Sequence, residues 1–133
     1  MVTKEDLRKC RDIKLQLNSI IEQIREIRIA MAAPKTSNFS SVPGGYGGSD
    51  GFLDAMAGAE QLKKLYWGKY KELLELQTNI EEEAAQLSGE EQALLRWYYF
   101  TGCTWEQTAE KLHYSRSQVH RKHNEILKKL APR

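Results

Sequence analysis

In the first thirty residues the apolar positions Cys10, Ile13, Leu17, Ile20, Ile24, Ile27 and Met31 are spaced 3, 4, 3, 4, 3 and 4 apart. A heptad seam of this kind predicts one long helix that packs against another in left-handed, coiled-coil fashion. Thr3 is placed to cap its start, and Glu5 and Asp6 suit the positive end of the helix dipole. The period stops in residues 32–50, AAPKTSNFSSVPGGYGGSD, where two prolines, four glycines and five Ser/Thr follow no repeat. Proline lacks the amide donor and glycine loses the most entropy in a helix, so this stretch predicts a loop. Over about residues 52–87 a second seam follows: Phe52, Met56, Ala59, Tyr66, Tyr70, Leu73, Ile80, Ala84 and Leu87, interrupted by Lys63 and Gln77 and widened by Leu62, Leu65, Leu74 and Leu76. At 1.5 Å per residue the two helices are roughly 43 and 54 Å long. A small C-terminal unit cannot cover such lengths, so the seams bury each other or meet a second chain.

After Leu87 the pattern changes. Ser88 with Glu91, Thr104 with Gln107, and Ser115 with Gln118 each have the S/T-x-x-E/Q form. In a capping box the hydroxyl accepts the backbone N–H three residues on, and the longer side chain caps back. Three boxes within 31 residues predict short helices over 89–101, 105–112 and 116–130. Two short helices crossing steeply need a small residue at their contact and an apolar lock in the second. Ala109 supplies the small contact, Leu112 the apolar end of the first helix and Val119 the lock, around a turn at His113 and Tyr114.

The segment LSGEEQALLRWYYFTGCTWEQTAEKLHYSRSQVHRKHNEILKKL resembles the helix-turn-helix of sigma-factor region 4. It runs from an acidic-capped apolar helix through a Gly-containing turn to A-E-x-L-x-x-S and a basic helix that ends apolar. The whole layout is similar to small phage regulators of late transcription, the ArpU/RinA type. Those pair an N-terminal helical region and a Pro/Gly-rich loop with a C-terminal unit whose last helix carries basic residues and a histidine. The resemblance implies DNA binding and transcription control, with RNA polymerase as a further possible partner. One departure is visible: the turn position usually given to Gly is His113. Histidine is among the better non-Gly residues at positive φ, so the turn survives at some cost.

Val119, His123, Ile126, Leu127 and Leu130 recur at 3 and 4 and form the inner stripe of the last helix. Arg116, Ser117, His120, Arg121 and Asn124 are left on its outer face. Arg and Asn read guanine and adenine edges by paired hydrogen bonds, and the N-terminal residues of a recognition helix are the ones that reach the bases. Those five are the candidate base readers, and the first four also align with the base-reading face of the sigma-like pattern. Thr104, Trp105, Lys111, Tyr114 and Lys122 would flank the groove and hold phosphates. Trp97, Tyr98, Tyr99 and Phe100 read as a packed hinge rather than as nucleotide stackers, and His123 as a core histidine.

Charge sharpens the picture. The overall formal charge is only +2, yet residues 101–133 hold seven Lys/Arg against three Glu and all three histidines. A positive field at the C-terminal end suits a polyanion. Charges from Lys4 onward and the lack of a long apolar run argue against a signal peptide or membrane span, and predict a cytoplasmic protein with no membrane partner; the resemblance to phage regulators implies that the cell is a bacterial host. Cys10 lies on the apolar stripe and Cys103 in a turn, so no disulfide is expected. The glycine-rich stretch lacks the preceding strand and following Lys of a phosphate loop. Cys103, His113, His120 and His123 include no C-x-x-C pair, and His120 and His123 fall on different faces, so no metal is expected. No nucleophile or carboxylate set comes with a pocket scaffold, so neither an enzyme nor a cofactor is expected.

The expectation is therefore an all-α protein in two parts. Residues 1–87 form a long antiparallel, coiled-coil-like hairpin that self-associates, most simply as a dimer. Residues 88–133 form a small three-helix unit with a helix-turn-helix that binds double-stranded DNA. Two rivals share the layout: a small terminase subunit for DNA packaging, and a sigma-like module that docks onto RNA polymerase or another protein.

Overall fold

A computed structural model describes residues 2–32 and 49–130. The described residues are almost wholly helical, with no strand among them: α1 (Lys4–Ala32), α2 (Ser49–Ala84), α3 (Gly89–Leu95), α4 (Trp105–Leu112) and α5 (Arg116–Leu130). Two long helices thus precede a small C-terminal helical domain. Apart from its two ends, the loop expected over 32–50 lies outside the described residues. No described helix is long and apolar enough to cross a membrane.

The chain clusters into two compact units, Met1–Gln16 with Tyr70–Arg133, and Leu17–Lys69. In the first unit α1 and α2 run antiparallel: Lys9 pairs with Glu72 at 3.0 Å, while Val2 and Asp6 border the same groove as Asn79, Ile80 and Glu83. Leu7, Cys10 and Ile13 of α1 are buried, as are Leu73, Ile80 and Ala84 of α2 and Leu87 just beyond it. At about 1.5–3 kcal/mol for each large side chain fully buried, this seam is the main force ordering the start of α1. Burial pushes the Cys10 thiol up to about 12, so it stays protonated and acts as a small hydrophobe. Thr3 and Asp6 close a reciprocal cap: Thr3 N–H donates to Asp6 Oδ2 at 3.0 Å and Asp6 N–H to Thr3 Oγ1 at 3.2 Å.

In the second unit Leu17, Ile20 and Ile24 of α1 are buried with Ala55 and Ala59 of α2. Here the expected second seam needs correction. Phe52 and Met56 are exposed, and Ala55 takes the inward position instead. Ala55 and Met56 are adjacent and both apolar, so periodicity alone does not choose between them. Leu65 and Leu74 are likewise exposed rather than widening the buried face.

The last three helices start where the hydroxyl caps predict. Ser88, Thr104 and Ser115 each accept an N–H from the residue three on, at 3.2, 3.1 and 3.2 Å, and Glu91, Gln107 and Gln118 cap back at 3.0, 2.9 and 2.8 Å. The end of α3 departs from expectation. Residues Arg96–Phe100 widen into a π turn, closed by Thr101 N–H donating to Arg96 O at 2.8 Å. Gly102 follows at φ 87°, a conformation open to glycine without steric cost, and the chain then enters α4.

Candidate nucleic-acid interface

The turn between α4 and α5 is built by the backbone. His113 N–H donates to Glu110 O at 3.2 Å and Tyr114 N–H to Ala109 O at 2.9 Å, the paired bonds of a Schellman ending. His113 occupies the left-handed position at φ 59° and ψ 38°, as its place in the motif requires. Ala109 and Val119 are both buried, as the small contact and the apolar lock of a helix-turn-helix have to be.

The two faces of α5 separate cleanly. Val119, His123, Ile126 and Leu130 are buried and Leu127 is half-buried. Arg116, Ser117, His120, Arg121 and Asn124 are all exposed. Arg116 approaches Glu106 of α4 at 3.6 Å, but with side chains 71% and 76% exposed this pair is weak and leaves the guanidinium available. His120 lies against Trp105, with ring centroids 4.9 Å apart.

The proposed phosphate holders have more varied surroundings. Thr104 is exposed, although its hydroxyl serves as the α4 cap. Trp105 is half-buried and stacked on Tyr98, with centroids 3.6 Å apart and planes 15° from parallel. Lys111 Nζ lies 5.3 Å from the centre of the Trp97 ring, and Lys122 is 3.8 Å from Glu125. Tyr114 donates its hydroxyl to Glu90 at 2.7 Å, which pushes its own ionisation up. A phosphate reaching Tyr114 therefore competes with a carboxylate.

Beneath the outer face lies a buried polar pair. Tyr99, from the π turn, shares a hydrogen bond with His123 Nε2. Burial first, then the charges of Lys4 and His120, pull His123 down to about 4; burial and neighbouring Tyr98 push Tyr99 up to about 12. Both are thus neutral near pH 7, because burial penalises the charged form of each. Glu91 is also buried, at 4% exposure, and Lys129 donates to both its oxygens at 2.9 Å. Burial alone would raise the Glu91 carboxyl, but the bonds from Lys129 and Ser88 outweigh it and hold it below the usual range.

Sequence reasoning missed the roles of two residues. Arg11 of α1 donates to the carbonyls of Tyr98 at 2.8 Å and Cys103 at 2.9 Å, and its guanidinium lies 4.1 Å from the centre of the Tyr98 ring. The π turn and the α3–α4 connection present those two carbonyls together, and nothing near Arg11 in sequence signals them. Lys129, counted only among the basic residues of the last segment, was missed in the same way.

Residues 84–131 match the family model for Sigma-70, region 4. No curated protein and no solved structure matches the chain significantly. The C-terminal helices therefore form a sigma-region-4-like helix-turn-helix, which points to DNA binding and a transcription-related function.

Proposed function

We propose that the protein binds double-stranded DNA in a sequence-specific manner and regulates transcription, without catalysis of its own and without a metal or cofactor. One observation carries this reading: five polar side chains capable of base contact line the exposed face of α5, and the opposite face of that helix is buried. Arg116, Ser117, His120, Arg121 and Asn124 meet base edges in the major groove. Thr104, Trp105, Lys111, Tyr114 and Lys122 sit toward the backbone. The combination of two long helices with a sigma-like unit supports a regulator of phage or prophage late genes, of the ArpU/RinA type, acting in the cytoplasm of a bacterial host.

Self-association fits the same reading. In the unit Leu17–Lys69, the large side chains Ile21, Ile29, Phe52, Leu53, Met56, Leu65 and Trp67 are exposed. A dimer would carry two recognition helices to half-sites about 34 Å, or a multiple of that, apart.

Selection of genomic fragments on the full chain, followed by titration of the recovered duplex, tests the proposal. Arg116→Ala and Arg121→Ala each lose on the order of 1–3 kcal/mol on the selected duplex and little on random DNA. Equal losses on both duplexes would remove the base-reading role.

A further inference from the structure

A cleft of about 340 Å³ opens within the unit that contains the helix-turn-helix. Lys4, Arg8 and Arg11 of α1 line it together with Tyr98, Trp105 and His123. The three cations recur at i, i+4 and i+7, so they form one stripe of the helix. Arg11 is occupied by its two carbonyls and the Tyr98 face, and it anchors α1 beside the π turn. Lys4 and Arg8 are exposed. The ion pair of Arg8 is with Glu5 at 3.5 Å, between side chains 57% and 80% exposed, which is too weak to hold it from a stronger anion. Among the described residues that line the cleft, Asp12 is the one acid, against three cations.

A continuous line of contacts ties this stripe to the reading face. Arg11 lies over Tyr98, Tyr98 stacks on Trp105, and Trp105 touches His120 on the outside of α5. Lys4 lines the same cleft as Trp105 and His123, and Trp105 in turn lies against His120, so the stripe and the reading face meet around one aromatic ring. A polyanion seated on His120 therefore runs past a positively lined cleft.

We infer that Lys4 and Arg8 contact the phosphate backbone of the DNA that α5 reads, extending the interface from the helix-turn-helix onto the first turns of α1. This rests on α5 being a DNA-reading helix. Both residues lie on α1 and not on the α5 face that carries the candidate base readers, so the contribution inferred for them is electrostatic and independent of sequence.

The test is a fluorescence-anisotropy titration of the full chain over a range of salt concentrations, with a selected duplex and with a random-sequence duplex. Lys4→Ala/Arg8→Ala weakens binding to both duplexes by a similar factor, roughly tenfold or more near physiological salt, and lowers the slope of log K against log salt by about 2. The charge-keeping pair Lys4→Arg/Arg8→Lys retains the slope. Lys64→Ala/Lys71→Ala, which removes the same charge from exposed positions of α2, also retains it. An unchanged slope in the first variant overturns the inference while leaving the α5 reading intact. So does an equal loss in the α2 variant, which would show a net-charge effect only. If the wild-type chain has no salt-dependent affinity for either duplex, the α5 reading fails and this inference falls with it.

Discussion

His123 lies directly beneath the outer face of α5, joined to Tyr99 and edge-on to Trp105 at 4.6 Å. Its folded-state ionisation lies near 4, below the ordinary 6.5. A histidine depressed in this way binds fewer protons folded than unfolded between those values. It therefore stabilises the fold fully above about pH 6.5 and loses that contribution as pH falls toward 4. The full contribution is about 3 kcal/mol. Urea unfolding at stepped pH should show this loss between pH 6.5 and 4 in the wild type and not in His123→Leu. Glu91 separates from it: with a lowered carboxyl it stabilises above its ordinary 4.5 and is lost only on further acidification. Parallel pH profiles for wild type and His123→Leu in the upper window would rule out the neutral, buried state of His123. His113, by contrast, is set by backbone demand, since its left-handed φ of 59° follows from the Schellman ending of α4.

The elements divide by how local their causes are. The starts of α3, α4 and α5 depend on hydroxyl caps three residues away, so they were legible as short motifs. The inner stripe of α5 was legible too, because Val119, His123, Ile126 and Leu130 repeat at helical spacing. The π turn at Arg96–Phe100 was not. RWYYF falls inside the helix expected over 89–101, where its aromatics read as a packed hinge without any sign of a wider turn, and Tyr99 meets its hydrogen-bond partner 24 residues further on. The docking of α1 was equally hidden, because the acceptors of Arg11 lie 87 and 92 residues away. Arg11→Ala leaves two carbonyls without their charged donor and should cost on the order of 3 kcal/mol in denaturant unfolding. Arg11→Lys should recover only part, since a single ammonium does not reproduce a planar fork that bonds two acceptors and stacks on a ring. Full recovery with Lys would show that charge alone holds α1 in place.

At the scale of the whole molecule, the unit Leu17–Lys69 exposes several large apolar side chains. Ile29 is 64% exposed and Leu53 60%. Large exposed apolar side chains can form an interaction surface, and we propose a second copy of the chain as its occupant. Sedimentation equilibrium should give twice the 15.3 kDa chain mass. Ile29→Asp/Leu53→Asp should shift the mass toward the single chain without lowering helix content. A monomeric wild type would refute the dimer, and a large ring would favour the packaging reading instead.

Periodicity and capping are short-range, and they decided that the chain is helical, where its last three helices begin and which side of α5 faces out. The five candidate base readers follow from that much, because a helix start and a 3.6-residue repeat assign each side chain to a face. Tertiary structure alone decided that Ala55 and not Met56 turns inward, that the end of α3 opens into a π turn, that Lys129 satisfies Glu91, and that Arg11 brings α1 alongside the aromatic stack. Each of these is a choice between locally equivalent options, and it is settled by packing or by a hydrogen-bond partner far away along the chain.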